Sequence, residues 1–76
     1  MIEVDAIGLK CPLPIVMARR AIKAMRPGSQ LTIKTDDPAS IIDVPHFCSE
    51  AGLTILDTQH RGAVIAFVVS VPKSKN

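Results

Sequence analysis

The sequence predicts an α/β (α+β) two-layer sandwich, in which two helices cover one face of a four-stranded mixed sheet. Three observations predict it. Short alternating apolar and polar stretches, rich in β-branched residues, are typical of strands. Two longer stretches carry proline and glycine signals of helix starts and stops. Their order along the 76 residues is βαβαββ, and a chain of this length forms one domain, residues 1–76.

The first strand and the first helix have distinct patterns. Residues 1–6 alternate Ile2 and Val4 with acidic residues, which predicts a strand with one buried face. Residues 12–25 predict a helix that Pro27 and Gly28 end. Its apolar residues recur at helical spacing and form one stripe: Ile15, Ala18, Ile22 and Met25.

A second strand and a second helix follow. Residues 31–35 alternate and contain β-branched residues, so we predict a strand there. Asp37 is a good N-cap for the next helix, and Pro38 suits its first position. Pro45 lacks an amide donor and crowds the preceding turn. We therefore expect a break near residues 43–44 and a fresh helical segment over 45–51.

The last third of the chain predicts two strands. Gly52 ends the helical segment, and residues 53–58 form the third strand. Residues 60–62 are predicted as a turn that contains His60, and residues 63–71 form the most apolar strand, which Pro72 ends. Residues 73–76 are expected to be a frayed tail. Successive right-handed crossovers place both helices on the same face of the sheet.

Composition excludes several classes of protein. Apolar residues make up 47% of the chain and charged residues 21%, which is typical of globular domains rather than disordered chains. The longest apolar run, residues 63–69, is far shorter than a membrane span, so we expect no membrane association. The acidic N-terminal residues do not resemble a secretory signal. We expect a cytoplasmic protein, and therefore two free cysteines.

Cys11 is the candidate chemical centre. A proline directly after it and another two residues later suit the first helical turn, which makes Cys11 the predicted N-cap, Pro12 N1 and Pro14 N3. The amides of Leu13 and Ile15 are then free to support an anionic sulfur. We expect a lowered pKa and a reactive thiolate at Cys11. The alternative is an inert cysteine that happens to precede a helix.

Basic residues cluster after the motif. Residues 10–26 contain no acidic side chain and five basic ones: Lys10, Arg19, Arg20, Lys23 and Arg26. They predict docking of an acidic partner surface beside Cys11. The alternative for the helix is an ordinary solvated face, and for Lys10 a role in solubility alone. We do not expect direct tRNA binding, because aromatic stacking platforms are missing and the net charge is only +2.

The other candidate ligands and thiols do not form a known motif. Cys48 beside Phe47 is expected to be a small buried hydrophobe, and the alternative is a resolving thiol for Cys11. His46 is expected to be an exposed helix residue. These residues with His60 match no closed zinc motif, so we predict neither a metal nor a cofactor.

Three aspartates follow the second strand. Asp37 is explained as a cap, and Asp36 and Asp43 as surface or docking residues. No acid–base pair is predicted, and the sequence contains no strong candidate for a general base near Cys11.

Two stretches together resemble a known family over essentially the whole chain. The pattern Asp5-x-x-Gly8-Leu9-x-Cys11-Pro12-x-Pro14, followed by a basic helix, resembles the signature of the TusA-like, or SirA-like, sulfur-carrier proteins. Residues 36–48, which include Asp43-Val44-Pro45-x-Phe47-Cys48, are similar to the branch that includes the tRNA 2-thiouridine sulfurtransferase.

The resemblance implies a function for Cys11. The motif cysteine of such proteins accepts a sulfane sulfur as a persulfide from a cysteine desulfurase or a rhodanese-like donor. It then passes the sulfur to a downstream acceptor protein. In one branch the pathway ends in thiolated tRNA wobble uridine, and in others in cofactor synthesis or sulfur oxidation. We expect a monomer without a cofactor. The competing hypotheses are a regulatory module in which Cys11 is a redox switch, and nucleic-acid binding by the basic helix.

Overall fold

The computed structural model describes residues 2–72, and its elements follow the predicted order βαβαββ. They are β1 (Ile2–Ala6), α1 (Leu13–Lys23), β2 (Gln30–Thr35), α2 (Ser40–Ala51), β3 (Thr54–Arg61) and β4 (Val64–Ser70). The tail predicted at 73–76 lies outside the described residues.

The four strands form one mixed sheet in the order β1-β2-β4-β3. β1 pairs with β2 in parallel, from Ile2 opposite Leu31 to Ala6 opposite Thr35. β4 lies antiparallel to both β2 and β3. The predicted fold class is confirmed. Since β1 and β2 are parallel neighbours, the segments that leave their carboxyl ends begin at the same edge of the sheet.

The core lies between the sheet and the two helices, which contact each other. Alternate residues of β2 are buried, and the same alternation holds in β4. Ala18 of α1 and Val44 of α2 are fully buried against this face. The remaining core is aliphatic apart from two phenylalanines, as expected: Val4, Ala6, Met25, Leu31, Ile33, Phe47, Cys48, Leu53, Ile65, Phe67, Val69 and Val71.

α1 is shorter than predicted at both ends. It begins at Leu13, so Pro12 occupies the N-cap position that was predicted for Cys11. Pro14 is the second helical residue and is buried. An N–H at this position would have no acceptor within the helix, so its absence in proline costs no helical hydrogen bond. The helix ends at Lys23 with Ala24 as C-cap, and the predicted stripe of apolar residues faces the core.

α2 is continuous from Ser40 to Ala51, and the predicted break before Pro45 is wrong. Pro45 has no N–H to donate to the Ile41 carbonyl, four residues earlier in the helix. Ile41 is 53% exposed, so water can donate to that carbonyl instead. Val44 and Phe47 are buried on either side of Pro45 and hold both halves against the core. Tertiary packing therefore outweighs the local cost of the proline.

The β3–β4 hairpin extends further than predicted. β3 runs to Arg61, so His60 is a strand residue rather than a turn residue. The loop is Gly62-Ala63, and Gly62 has a φ of 60°, as a two-residue hairpin with glycine in its first position requires. An irregularity between Ile55 and Asp57 leaves Leu56 half exposed at this edge.

Replacement of Leu31 tests the position of the core. Leu31 is fully buried in β2, so Leu31→Ala is expected to lower the free energy of unfolding in a urea titration by about 2–5 kcal/mol. Leu56→Ala is the matched control on β3, with an expected change of about 0.5 kcal/mol or less. If Leu31→Ala does not fold, Ile33→Val gives the milder test, with an expected loss of about 0.5–1.5 kcal/mol. Equal losses for Leu31→Ala and Leu56→Ala would contradict the described core.

Candidate functional site: a cysteine loop at the carboxyl edge of the parallel strands

Residues 7–12, here called the cysteine loop, connect β1 to α1 and present Cys11 to solvent. Gly8 has a φ of 86°, a backbone conformation that is strained for residues with a side chain. The amide of Leu9 donates to the Ala6 carbonyl at 3.1 Å. The amide of Leu13 donates to the Lys10 carbonyl at 2.9 Å and closes a turn around Cys11. The Cys11–Pro12 peptide bond is cis.

Two carboxylates from the neighbouring β2–α2 connection hold the cysteine loop. The backbone N–H of Gly8 donates to Asp36 Oδ1 at 2.9 Å, and that of Cys11 donates to Asp37 Oδ2 at 2.8 Å. The other oxygen of Asp37 accepts the Ala39 N–H at 3.2 Å. The pKa of Asp37 is lowered, mainly by the hydrogen bond from the Cys11 N–H. The hydrogen bond from the Ala39 N–H and the positive charge of Lys10 act in the same direction.

Two buried hydroxyl groups, on Thr35 and Ser40, stabilise the connection between β2 and α2. The hydroxyls of Thr35 and Ser40 form a hydrogen bond of 3.0 Å, and the Asp37 N–H donates to Thr35 Oγ1 at 3.2 Å. Asp37 therefore caps the turn before α2, since the Ser40 amide also donates to the Asp37 carbonyl at 2.9 Å. The prediction that Asp37 is the N-cap of α2 and Pro38 its first residue is wrong, because the helix begins at Ser40 with Ala39 as N-cap. Asp37 caps the preceding turn, where its side chain accepts the Ala39 N–H.

The Cys11 thiol lies against acidic groups, and its pKa is raised rather than lowered. The main cause is a hydrogen bond to the Asp43 side chain, and the negative charges of Asp43 and Asp37 act in the same direction. The sequence-based expectation of a thiolate stabilised at neutral pH is therefore wrong. It considered only α1 and could not include two carboxylates that the β2–α2 connection and α2 bring to the sulfur.

The first turn of α1 offers fewer amides than expected. The Leu13 amide is occupied by the Lys10 carbonyl, and the Val16 amide donates to the Pro12 carbonyl at 3.0 Å. Pro12 and Pro14 have no N–H. Within residues 2–72, the Ile15 amide is the first-turn donor that remains for an anion, so the predicted pair of free amides is reduced to one.

Three of the five predicted docking residues lie together on α1. Arg19, Arg20 and Lys23 are exposed and line a shallow groove of about 370 Å³. The remaining wall of this groove is formed by Pro12, Ile15 and Val16, so it starts next to Cys11. We call it the basic groove. The Arg19 guanidinium also lies 5.4 Å from the centroid of the Phe47 ring, a cation–π contact that joins the two helices.

The other two predicted docking residues lie outside the basic groove. Arg26 is exposed beyond the end of α1, where its carbonyl accepts the Ser29 amide at 3.2 Å. Lys10 is exposed beside Cys11 and acts electrostatically on Asp37. Lys10 thus places one positive charge close to the acidic groups around the thiol.

The remaining cysteine is buried, and both histidines are exposed. Cys48 is 1% exposed, and burial raises the pKa of its thiol to about 11, so the prediction of a buried hydrophobe is confirmed. His46 is exposed, as predicted, and its Nε2 lies 3.0 Å from Glu50 Oε1. Across the described part of the chain, no three His, Cys, Asp or Glu side chains group as ligands for a metal ion.

Sequence reasoning missed the role of the aspartates. A signal for Asp36 and Asp37 was present, because they follow a strand that is parallel to the strand before Cys11, and such ends meet at one edge. Asp43 carried no such signal. Its effect on the pKa of Cys11 depends on how α2 is rotated and packed, which periodicity does not specify.

No helix within residues 2–72 is long and apolar enough to cross a membrane.

Alkylation of Cys11 by iodoacetamide tests the electrostatics of the site. The pH midpoint of alkylation is expected above the ordinary value for cysteine, because Asp43 and Asp37 disfavour the thiolate. Asp37→Asn is expected to move this midpoint down, and the control Asp57→Asn on β3 is expected to leave it unchanged. Cys48 is expected to stay unmodified in the folded protein. A midpoint below the ordinary cysteine value in the wild type would contradict this description.

Comparison with known proteins agrees with this architecture. The structure superposes on a SirA-like protein from Desulfitobacterium hafniense with a TM-score of 0.82 and 23% sequence identity, over 95% of this chain and 99% of the other. At that identity the likeness shows the fold. The sequence matches the family described as sulfurtransferase TusA over residues 2–71, nearly the whole chain. The chain therefore belongs to the TusA family of sulfurtransferases, whose general role is to carry sulfur between proteins.

Proposed function

We propose that this protein carries a sulfane sulfur as a persulfide on Cys11, between a donor protein and an acceptor protein. The observation that carries the proposal is the placement of Cys11. Its thiol is exposed, while its backbone is held at 2.8 Å by Asp37 and enclosed by the turn between Lys10 and Leu13. A fixed backbone with an accessible sulfur suits a group that two different partners must approach.

The transfer is balanced without an external oxidant or reductant. The Cys11 sulfur attacks the terminal sulfur of a donor persulfide, a new S–S bond forms, and the S–S bond of the donor breaks. The donor leaves as a thiol, and Cys11 holds the sulfane sulfur. The second transfer repeats these steps with an acceptor thiol as the attacking group, so Cys11 returns to its thiol form.

The basic groove is the proposed docking surface for both partners. Its three cations lie beside the exposed apolar side chain of Val16, and Leu13, one turn earlier on α1, is also exposed. Cations at the rim of an interface raise the association rate of an acidic partner, whereas apolar contacts are buried once the partner is bound. We include Lys10 and Arg26, which are exposed outside the basic groove, in the proposed docking surface.

The donor in this proposal is a cysteine desulfurase or a rhodanese-like protein, and the relay operates in the cytoplasm. The resemblance of residues 36–48 to the 2-thiouridine branch makes tRNA wobble-uridine thiolation the end product that we propose to test first. Contact with the tRNA is assigned to the acceptor protein.

The redox-switch alternative is disfavoured by the site. Redox-sensing cysteines are accessible and often lie next to a resolving cysteine. Cys11 is accessible, and Cys48 is the one other cysteine of the sequence. Cys48 is buried in the core, so it is poorly placed to resolve an oxidised Cys11.

Sulfur loading tests the proposal. Incubation with a cysteine desulfurase and cysteine is expected to add the mass of one sulfur atom to the intact protein, on the peptide that contains Cys11. Cys11→Ser is expected to abolish this gain, whereas the control Cys48→Ala keeps it. Absence of the gain in the wild type, or its persistence in Cys11→Ser, would refute the persulfide carrier.

Charge reversal tests the docking surface. Arg20→Glu combined with Lys23→Glu is expected to slow loading by the desulfurase at low salt by about tenfold or more, and added salt should shrink the difference. Arg20→Glu and Lys23→Glu are also compared singly with Arg61→Glu on β3, the matched control, because each of the three changes the net charge by the same amount and Arg61 lies outside the basic groove. If Arg61→Glu slows loading as much as either single reversal, net charge and not the basic groove determines the rate.

A further inference from the structure

We propose that residues 57–61 of β3, here called the free edge, form a self-association surface. Through it, two copies of this chain pair as antiparallel strands, and their sheets become one continuous sheet. The strand order β1-β2-β4-β3 leaves β3 with a neighbour on one side only, and an unpaired edge is a template for another strand. The monomer expected from the sequence is then the dilute form. This surface is separate from Cys11 and does not depend on its proposed function.

The free edge is exposed and regular. All residues of β3 are exposed except Ile55, which is half-buried. The irregularity in the pairing of β3 with β4 lies between Ile55 and Asp57, so the stretch from Asp57 to Arg61 pairs with β4 without interruption. A segment of this length is long enough to act as one strand of a sheet. It can therefore accept a second strand on its outer side.

Two residues of the free edge point their backbone groups away from β4. A two-residue loop closes on a hydrogen-bonded pair, here Arg61 with Val64, and such pairs alternate with non-hydrogen-bonded pairs along the strand. The residues that face outward by this alternation are Thr58 and His60. The Thr58 N–H agrees with this, because it donates to Asp57 Oδ1 at 2.9 Å, outside the ladder.

One register satisfies both the backbone groups and the charges. When Thr58 of one copy lies opposite His60 of the other, the two-fold axis passes between the two Gln59 residues, and the outward N–H and C=O groups of both strands are paired. The same register sets Asp57 opposite Arg61 of the second copy, once on each side of the axis. These are non-hydrogen-bonded pairs, in which side chains lie closest, so the opposite charges stabilise the dimer.

Other registers lose this complementarity. With Thr58 opposite Thr58 of the second copy, Asp57 lies opposite Gln59. With His60 opposite His60, Arg61 lies opposite Gln59. A shift that sets Asp57 opposite Asp57 places like charges together, which is destabilising. The charge pattern of the free edge therefore selects the register that is centred on Gln59.

The other outer strand of the sheet opposes self-pairing. β1 carries two acidic side chains on one face, Glu3 and Asp5, and an antiparallel pair centred on Val4 would set each against the other. Glu3 also forms an ion pair with Lys34 of β2 at 3.2 Å. We therefore assign self-association to β3 and not to β1.

In a single copy, the Asp57 carboxylate covers part of the free edge. Its Oδ1 accepts the Thr58 N–H, and its Oδ2 accepts Gln59 Nε2 at 3.0 Å. On pairing, the Thr58 N–H donates instead to the His60 carbonyl of the second copy, and Oδ1 accepts from the Arg61 guanidinium. Within residues 2–72, Arg61 forms no ion pair that would be lost. Because one hydrogen bond is exchanged for another, the dimer is weak and forms at high protein concentration.

Dimer formation leaves the cysteine loop accessible. β1, which precedes the cysteine loop, lies at the opposite edge of the sheet from β3. The described lining of the basic groove comes from residues 12–23. Both copies therefore keep Cys11 and the basic groove available to partners. Loading of dilute protein is thus insensitive to the free edge, so Arg61→Glu still serves as its control.

Sedimentation velocity over a concentration series tests the dimer. The average mass of the wild type is expected to rise toward that of two chains between about 10 μM and about 1 mM, and added salt should reduce the rise. Asp57→Arg and Arg61→Asp each set like charges opposite one another, so each alone is expected to weaken association by about tenfold or more. Arg20→Asp on α1 is the matched control for the change in charge, with no expected effect.

An equimolar mixture of Asp57→Arg and Arg61→Asp gives the sharpest test. In a mixed pair, both introduced charges lie opposite residues of the other sign, so association is expected to recover although neither variant associates alone. A constant single-chain mass for the wild type would overturn the proposal. So would a mixture that associates no more than its components, or an equal loss for Arg20→Asp and Arg61→Asp. None of these outcomes affects the persulfide carrier, which sulfur loading tests separately.

Discussion

The site depends on the hydrogen bonds by which the β2–α2 connection holds the cysteine loop. β1 and β2 are parallel and adjacent, so both chains leave the sheet at the same edge. There Asp36 and Asp37 accept the backbone N–H groups of Gly8 and Cys11. Hydrogen bonds to ionised acceptors are stronger than neutral ones, and these two bracket the loop. The exposed thiol is therefore attached to a fixed backbone.

The same carboxylates set the chemistry of the sulfur. Asp37 holds the loop, and together with Asp43 it disfavours the thiolate at Cys11. α1 provides the basic groove and the Ile15 amide, which has no backbone acceptor within residues 2–72. The thiol is thus influenced by one carboxylate from the β2–α2 connection and one from α2, and α1 beside it carries a basic face. The charge around the thiol is therefore asymmetric, and the carboxylates disfavour the thiolate.

Local sequence patterns predicted the strands and helices correctly where tertiary packing did not oppose them. The alternation in residues 31–35 marked β2, and the apolar stripe from Ile15 to Met25 marked the buried side of α1. They failed where packing outweighed them. Pro45 lies inside a continuous helix because Val44 and Phe47 are buried on both sides of it. His60 continues β3 because it pairs with Ile65 of the neighbouring strand.

The sequence by itself determined the fold class, the exposed motif cysteine and the family. These predictions depend on local properties: the hydrophobic period, the proline and glycine signals, and the Cys11-Pro12-Leu13-Pro14 motif. The first 14 residues contain most of the family signature. Only the tertiary structure decided the electrostatic surroundings of Cys11. They depend on Asp37 and Asp43, which are distant in sequence and come near Cys11 only because a parallel strand pair and a packed helix bring them there. Coulombic and hydrogen-bonding effects act through space, so spacing along the chain could not reveal them.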